Sequence, residues 1–425
     1  SSAMAQAIDE PRAPARATAA ATCRSCGAPL EDVFADLGVQ PLCESYVDEA
    51  GLHAHEVFYP LRTYVCRECL LVQAQDFAPA EDIYREYAYF SSYSTSWLEH
   101  AARYCRDVAV REGLSADSFV VELASNDGYL LRNFVAMGIR VLGIDPARNV
   151  AEVARGKGVP TLAEFFGTGL ARQVATEHGR ADLIVANNVL AHVPDINDFV
   201  GGVAELLRTG GVASFEFPHL HELIRQRQFD TIYHEHFSYL SLYAVEKVLA
   251  RHGLEAVDVE RLPTHGGSLR LWVAHAGARR TAPSVPELRE VEARAGLHDL
   301  SGYSGFQAEV AHVKRELLKL LIGLHDQGLR VAGYGAPGKG NTLLNYCGVG
   351  PELLPYTVDR NPYKQGKYLP GSRIPIRAPE VITEDRPDVV LILPWNLEAE
   401  IVAQLSDVRD WGGRFVVPIP EPRFV

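Results

Sequence analysis

The chain has no apolar stretch near the roughly 20 residues of a membrane span. It also has no run of basic residues, and its formal net charge is -13. A membrane protein and a protein whose main partner is nucleic acid are therefore not expected. Ser1 to Thr22 is rich in Ala, Pro and charge and lacks the apolar centre of a signal peptide, so a cytoplasmic location is expected. Ser1-Ser-Ala before Met4 reads as an expression scar, and 1–22 as a disordered leader. With 425 residues and 47% hydrophobic content, the chain has material for about two or three domains.

Cysteine is sparse, seven in all, and four of the seven fall in two C-x-x-C knuckles, Cys23-Arg-Ser-Cys26 and Cys66-Arg-Glu-Cys69. Thiolates two residues apart on a turn can point at one tetrahedral ion, and two such turns close a structural zinc site. The long interval between the knuckles leaves a redox dithiol or disulfide pair as the alternative.

Two loops each lack part of a nucleotide-binding signature. Phe119-Val-Val-Glu122-Leu-Ala124-Ser-Asn126-Asp127-Gly128 reads as strand, tight turn and helix start, and Val141-Leu-Gly-Ile-Asp145-Pro146 as the next strand and its end. Glu122 opens an E-x-G-x-G-x-G-like loop in which Ala124 and Asn126 replace the first two glycines. The acids Glu122 and Asp127 disfavour a pyrophosphate and suit the cationic methionine end of S-adenosylmethionine, while Asp145 suits its ribose. Phe165, Asn187 and Asn188 follow later strands of the same alternating βα pattern, on the cofactor side of a mostly parallel sheet. The bland alternative is an ordinary α/β turn in which Glu122 caps the helix.

The second loop, Gly333-Tyr-Gly335-Ala-Pro-Gly338-Lys339-Gly340, fits G-x-G-x-x-G, with Asp359 about twenty residues on. Taken alone it predicts an NAD-dependent oxidoreductase. Gly340 in place of Ser or Thr argues against a P-loop, and a merely structural turn stays open. A glycine-rich turn at a helix N-terminus beside a lysine suits a diphosphate in any case.

The densest chemistry is Tyr233-His234-Glu235-His236. A histidine oriented by a carboxylate does acid–base work, and Tyr233 can hold or protonate a carbonyl oxygen. A metal bound by the H-x-H pair and a satisfied histidine cluster at a domain junction are the competing readings. The aromatic segment from Phe77 to Trp97 either packs two domains together or forms a lid over a ligand.

In this order, the knuckles, the Glu122–Gly128 loop, Tyr233-His-Glu-His236, Thr264-His265-Gly-Gly-Ser and the second glycine-rich loop resemble the nucleotide-sugar C-methyltransferases of deoxysugar and antibiotic biosynthesis, in particular those acting at C-3'. The resemblance implies an α/β chain of three domains: zinc-binding (23–80), Rossmann-like methyltransferase (81–262) and pseudo-Rossmann nucleotide-sugar-binding (263–425). It implies methyl transfer from S-adenosylmethionine to C-3' of a TDP-4-keto-deoxysugar, such as a 3-amino-2,3,6-trideoxy-4-keto-hexose, by a monomer. By motif position, His236 is the implied base, with Glu235 and Tyr233 beside it and His192 and Tyr87 completing the active site. His265, Lys339, Ser372 and Arg373 are implied on the sugar nucleotide. A zinc-scaffold sugar-nucleotide binder without turnover is the non-enzymatic alternative.

Overall fold

The computed structural model describes residues 21–75 and 95–425, in three sheets. The first begins with β1 (Asp32–Gln40), β2 (Tyr59–Val65) and β3 (Val72–Ala74), paired antiparallel in chain order. The first Cys-x-x-C knuckle precedes β1, and the second forms the turn between β2 and β3.

The central sheet contains β4 (Phe119–Leu123), β5 (Arg140–Ile144), β6 (Thr161–Leu162), β7 (Ala181–Asn187) and β8 (Leu207–Pro218), all parallel. β4 is buried at every position, as expected of a strand covered on both faces. Next in the chain, β9 (Ser238–Tyr239) leaves this sheet and pairs with β3, completing the first sheet as β1-β2-β3-β9. β10 (Leu254–Leu262) and β11 (Ser268–His275) return as an antiparallel hairpin on β8. The central order is thus β10-β11-β8-β7-β4-β5-β6, and chain progression reverses between β4 and β7. A ligand crevice opens at such a reversal, beyond the carboxyl ends of the strands.

The third sheet runs β14-β13-β12-β15-β16-β17, from β12 (Val331–Tyr334), β13 (Thr357–Val358), β14 (Ile376–Arg377), β15 (Val389–Ile392), β16 (Arg414–Val417) and β17 (Arg423–Phe424), parallel except at β17. β11 pairs with β8 along six residue pairs, so the central sheet extends past residue 262.

The cores interlock. Phe34 of β1 stacks on Phe306 at the head of the long helix Phe306–Asp326, with ring centroids 4.5 Å apart. One apolar cluster thereby runs from the first sheet into the third. A second joins Cys23, Cys66, Cys69 and Leu71 to the central sheet. Among the described residues, no helix is long and apolar enough to cross a membrane.

Candidate active site

At the crevice, the turn after β4 places Ala124, Asn126 and Gly128 in left-handed backbone, with φ of 58°, 54° and 83°. Asn and Gly reach that region at little cost, whereas Ala124 is strained. The strain is held in place because Ala124 N–H and Ser125 N–H both bond Ile144 O. Asp145, at the end of β5, accepts from Asn126 N–H and Ala147 N–H, both at 2.9 Å. Pro146 follows, half-buried, and Asn188 also sits at positive φ, its N–H on Glu216 O.

Among the described residues, several buried oxygens at this end of the sheet have no hydrogen-bond partner. They are both carboxylate oxygens of Glu122, Ser125 Oγ, Asn187 Oδ1 and one oxygen of Glu216. Burial, with Asp145, Asp127 and Glu216 nearby, raises the Glu122 carboxyl well above its usual range. Such a set favours a cation with hydroxyl and amine donors and repels a pyrophosphate. This donor set fits S-adenosylmethionine. Phe165 lies 63% exposed after β6, while its neighbour Phe166 packs on Phe199.

Beyond β7 and β8 the histidine residues converge. His192 ends a short 3-10 turn, and its ring lies 4.6 Å from that of His236; Tyr233 lies 3.9 Å from His236 on another side. His236 Nδ1 is 2.7 Å from Thr231 O. A carbonyl only accepts, so Nδ1 carries the proton and the neutral ring keeps its lone pair on Nε2. Burial drops the His236 pKa to about 4, partly offset by that hydrogen bond, so the ring stays neutral at ordinary pH. Burial likewise holds Tyr233 as a phenol. Burial, His236 and His265 lower His192. His265 is presented by the Thr264–Gly267 turn at φ 51°, edge-on to Trp97, whose ring stacks on His100.

The segment splits its side chains. His234 turns to the carbonyls of Tyr59 and Pro60 on β2, so the H-x-H pair does not converge as metal ligands. Glu235 meets Cys43 Sγ at 3.8 Å, and burial plus Glu44 raises its pKa to about 8. Tyr87 and most of the aromatic segment lie outside the described residues; only Trp97 of that segment is placed, and neither the lid nor the packing reading is tested.

The second glycine-rich turn is filled by the chain itself. Asp359 accepts from Ala336 N–H (2.7 Å) and Asn361 N–H (2.8 Å), the same pair of bonds that Asp145 makes. A Cβ on Gly338 would stand 3.1 Å from Cys43 Sγ and 3.5 Å from Glu44 Oε1. A diphosphate at this helix N-terminus would meet a carboxylate. Lys339 points elsewhere: its ammonium bonds Asn396 Oδ1 and lies 4.3 Å from the Trp395 ring centroid. Burial lowers it to about 8, with Asp230 opposing. Trp395 Nε1 donates to Asp230 Oδ2 at 2.7 Å, and the other oxygen of this buried carboxyl has no partner among the described residues.

Arg373 is engaged within the protein. Its guanidinium is spent on the zinc-binding module, Nε on Glu56 Oε1 at 2.7 Å and the two terminal nitrogens on Leu52 O and Ala54 O. It offers no free fork to a nucleotide. Its neighbour Ser372 accepts only a long bond from Ile374 N–H. Motif reading passed over Asp230, Trp395 and Cys43, each a single residue without a spacing signature. Their one signal is position, since Trp395 and Asn396 follow β15 at the ligand end of a parallel sheet.

The four knuckle sulfurs lie within 4.8 Å of one another. Cys23–Cys69 and Cys26–Cys66 are each 3.5 Å apart. A tetrahedron with Zn–S bonds of ~2.3 Å has edges of ~3.8 Å, whereas a disulfide needs ~2.05 Å. Gln73 Nε2 (3.2 Å) and Ser25 N–H (3.4 Å) donate to Cys23 Sγ, as suits a thiolate. The cluster fits structural zinc, with no position left over for catalysis.

Family models match along the chain: a zinc binding domain over residues 23–84, a methyltransferase domain over 97–259 and a C-methyltransferase C-terminal domain over 263–420. C-methyltransferase NovU of Streptomyces niveus is 38% identical over 407 residues, 95% of this chain and 96% of that protein. A ubiquinone biosynthesis O-methyltransferase of Bartonella quintana is 28% identical over 94 residues, 22% of this chain and 38% of its own. Among solved structures, the PH0226 protein of Pyrococcus horikoshii OT3 aligns at 16% identity and TM-score 0.37, over 46% of this chain and all of that one.

Proposed function

The chain belongs to the S-adenosylmethionine-dependent C-methyltransferases, and from that premise we propose that it methylates C-3' of a TDP-4-keto-deoxysugar in deoxysugar biosynthesis. The oxidoreductase reading of the Gly333–Gly338 loop gives way to this family. S-adenosylmethionine, which the family binds, supplies an electrophilic methyl group. Glu122, Ala124, Asn126, Asp127, Gly128, Asp145, Pro146, Phe165, Asn187 and Asn188 are the residues proposed to hold it.

His236 Nε2 takes the proton from the carbon beside the ketone. The C–H electron pair would then form the enolate, whose oxygen Tyr233 hydrogen-bonds; that carbon becomes the nucleophile, and its new bond to the methyl group would restore the ketone as the sulfur–methyl bond breaks, its electron pair staying on sulfur and S-adenosylhomocysteine leaving. His192 and Glu235 flank the base. The assigned role of Tyr87 is carried by the resemblance alone. His265, Lys339 and Ser372 are assigned to the sugar nucleotide by the resemblance alone.

The observation that carries this reading is the His236 Nδ1 bond to Thr231 O, which leaves Nε2 basic beside His192 and Tyr233. The test is incubation with S-adenosylmethionine and a panel of TDP-4-keto sugars in deuterated water, followed by mass spectrometry. One methyl gained and exchange at the carbon beside the ketone are expected. His236→Asn should lower kcat by ~10²–10⁴ with S-adenosylhomocysteine affinity unchanged. Near-normal turnover by that variant would move the base elsewhere.

A further inference from the structure

The residue after His236 ties the two histidine-bearing segments to the zinc knuckles. Phe237 N–H donates to Ala191 O at 2.8 Å, next to His192, and Phe237 O accepts from Ala74 N–H at 2.9 Å. From there β9 pairs with β3, Ser238 opposite Gln73 and Tyr239 opposite Val72. Tyr239 turns back to donate to His236 O.

Two side chains of the zinc-binding module complete the clamp. Arg24, inside the first knuckle, donates to Pro194 O at 3.0 Å and to Ala74 O, and its guanidinium lies 5.2 Å from the centre of the Phe237 ring. Gln73 is buried on β3. It accepts from Arg24 N–H at 2.9 Å and donates to Cys23 Sγ, so one amide joins a metal-ligand sulfur to the strand that carries β9.

A guanidinium is a rigid planar fork, and here it bridges the loop two residues past His192 and the strand edge beside His236. Arg24 thus links the segment that carries His192 to the segment that carries His236. We propose that Arg24 and Gln73 are positioning residues which use the zinc centre as the fixed point for the His192–His236 pair. This rests on the reading of His236 as the base.

The test uses the full chain with Arg24→Ala and Arg24→Lys, zinc content being measured on each. Deuterium exchange is followed in peptides covering 190–194 and 233–239, S-adenosylhomocysteine affinity by calorimetry, and kcat on the keto sugar. Full zinc, unchanged cofactor affinity, faster exchange in both segments and a kcat fall of about 10²-fold are expected for Arg24→Ala. Arg24→Lys keeps the charge but cannot span both carbonyls, and should fall between. Unchanged exchange in both segments at full zinc content overturns the proposal.

If Arg24→Ala fails to hold zinc, Phe237→Leu, which leaves the knuckle alone, must reproduce the local rise in exchange, and no rise there overturns it as well. Faster exchange in the Arg24 variants combined with normal turnover by His236→Asn would uphold the positioning and sink the base assignment instead.

Discussion

His236 shows how burial and one carbonyl set a reactive state. The folded protein binds its proton only near pH 4, while the unfolded chain binds it near 6.5. Between those values the unfolded state holds more protons, so the contribution of this group to stability is complete above about 6.5 and is lost as pH falls towards 4. His236→Asn should therefore lose less Tm than the wild type between pH 7 and pH 5, as read by calorimetry; equal losses would mean that the ring is not buried neutral. Glu235 runs the other way. Raised to about 8, it stays protonated where the unfolded chain ionises, and its contribution falls as pH rises from about 4.5 to 8. At the cofactor crevice, Asp145→Ala removes the acceptor that holds Asn126 N–H. It should raise the KM for S-adenosylmethionine with kcat little changed, and an unchanged KM would remove Asp145 from the site.

At the scale of elements, the turn Thr264–Gly267 is tightly fitted against its neighbours. A Cβ on Gly266 would stand 2.5 Å from the Trp395 ring and 2.7 Å from Gln228, at a φ of +80°. Gly266→Ala should cost about 1–3 kcal/mol and displace His265, seen as a lowered Tm together with a lowered kcat. Much at this scale is legible in sequence. The run Phe119–Leu123, uniformly apolar but for Glu122, announces a doubly covered strand, and the left-handed turn after it follows from Asn126 and Gly128. The antiparallel hairpin β10–β11 is not legible as part of the central sheet, because a hairpin looks alike whichever sheet it joins. The occupation of the second glycine-rich turn by Cys43 and Glu44 is hidden for a similar reason. A motif describes a loop's shape and says nothing of which distant segment fills it.

At the scale of the molecule, the zinc-binding module is woven into both larger bodies rather than attached at an end. Phe34 enters the core of the third sheet, and the knuckles enter that of the second. Chelation should therefore lower the Tm of the whole chain as one transition, where a detachable module would melt separately; two resolved calorimetric transitions would refute this. Arg373, spent on Glu56, is an instance of the same weave that no single-sequence reading supplies, since its partner lies in another module.

The pairing of β3 with β9 has a further consequence for how the chain comes into being. β3 emerges from the ribosome about 160 residues before β9, an interval on the order of 10–30 s at ordinary synthesis rates. Throughout that time Val72–Ala74 presents an open strand edge on a sheet whose metal ligands are already complete. The nascent chain thus carries a sticky edge that only its own later segment covers, and the covering strand delivers the reactive histidine as it arrives.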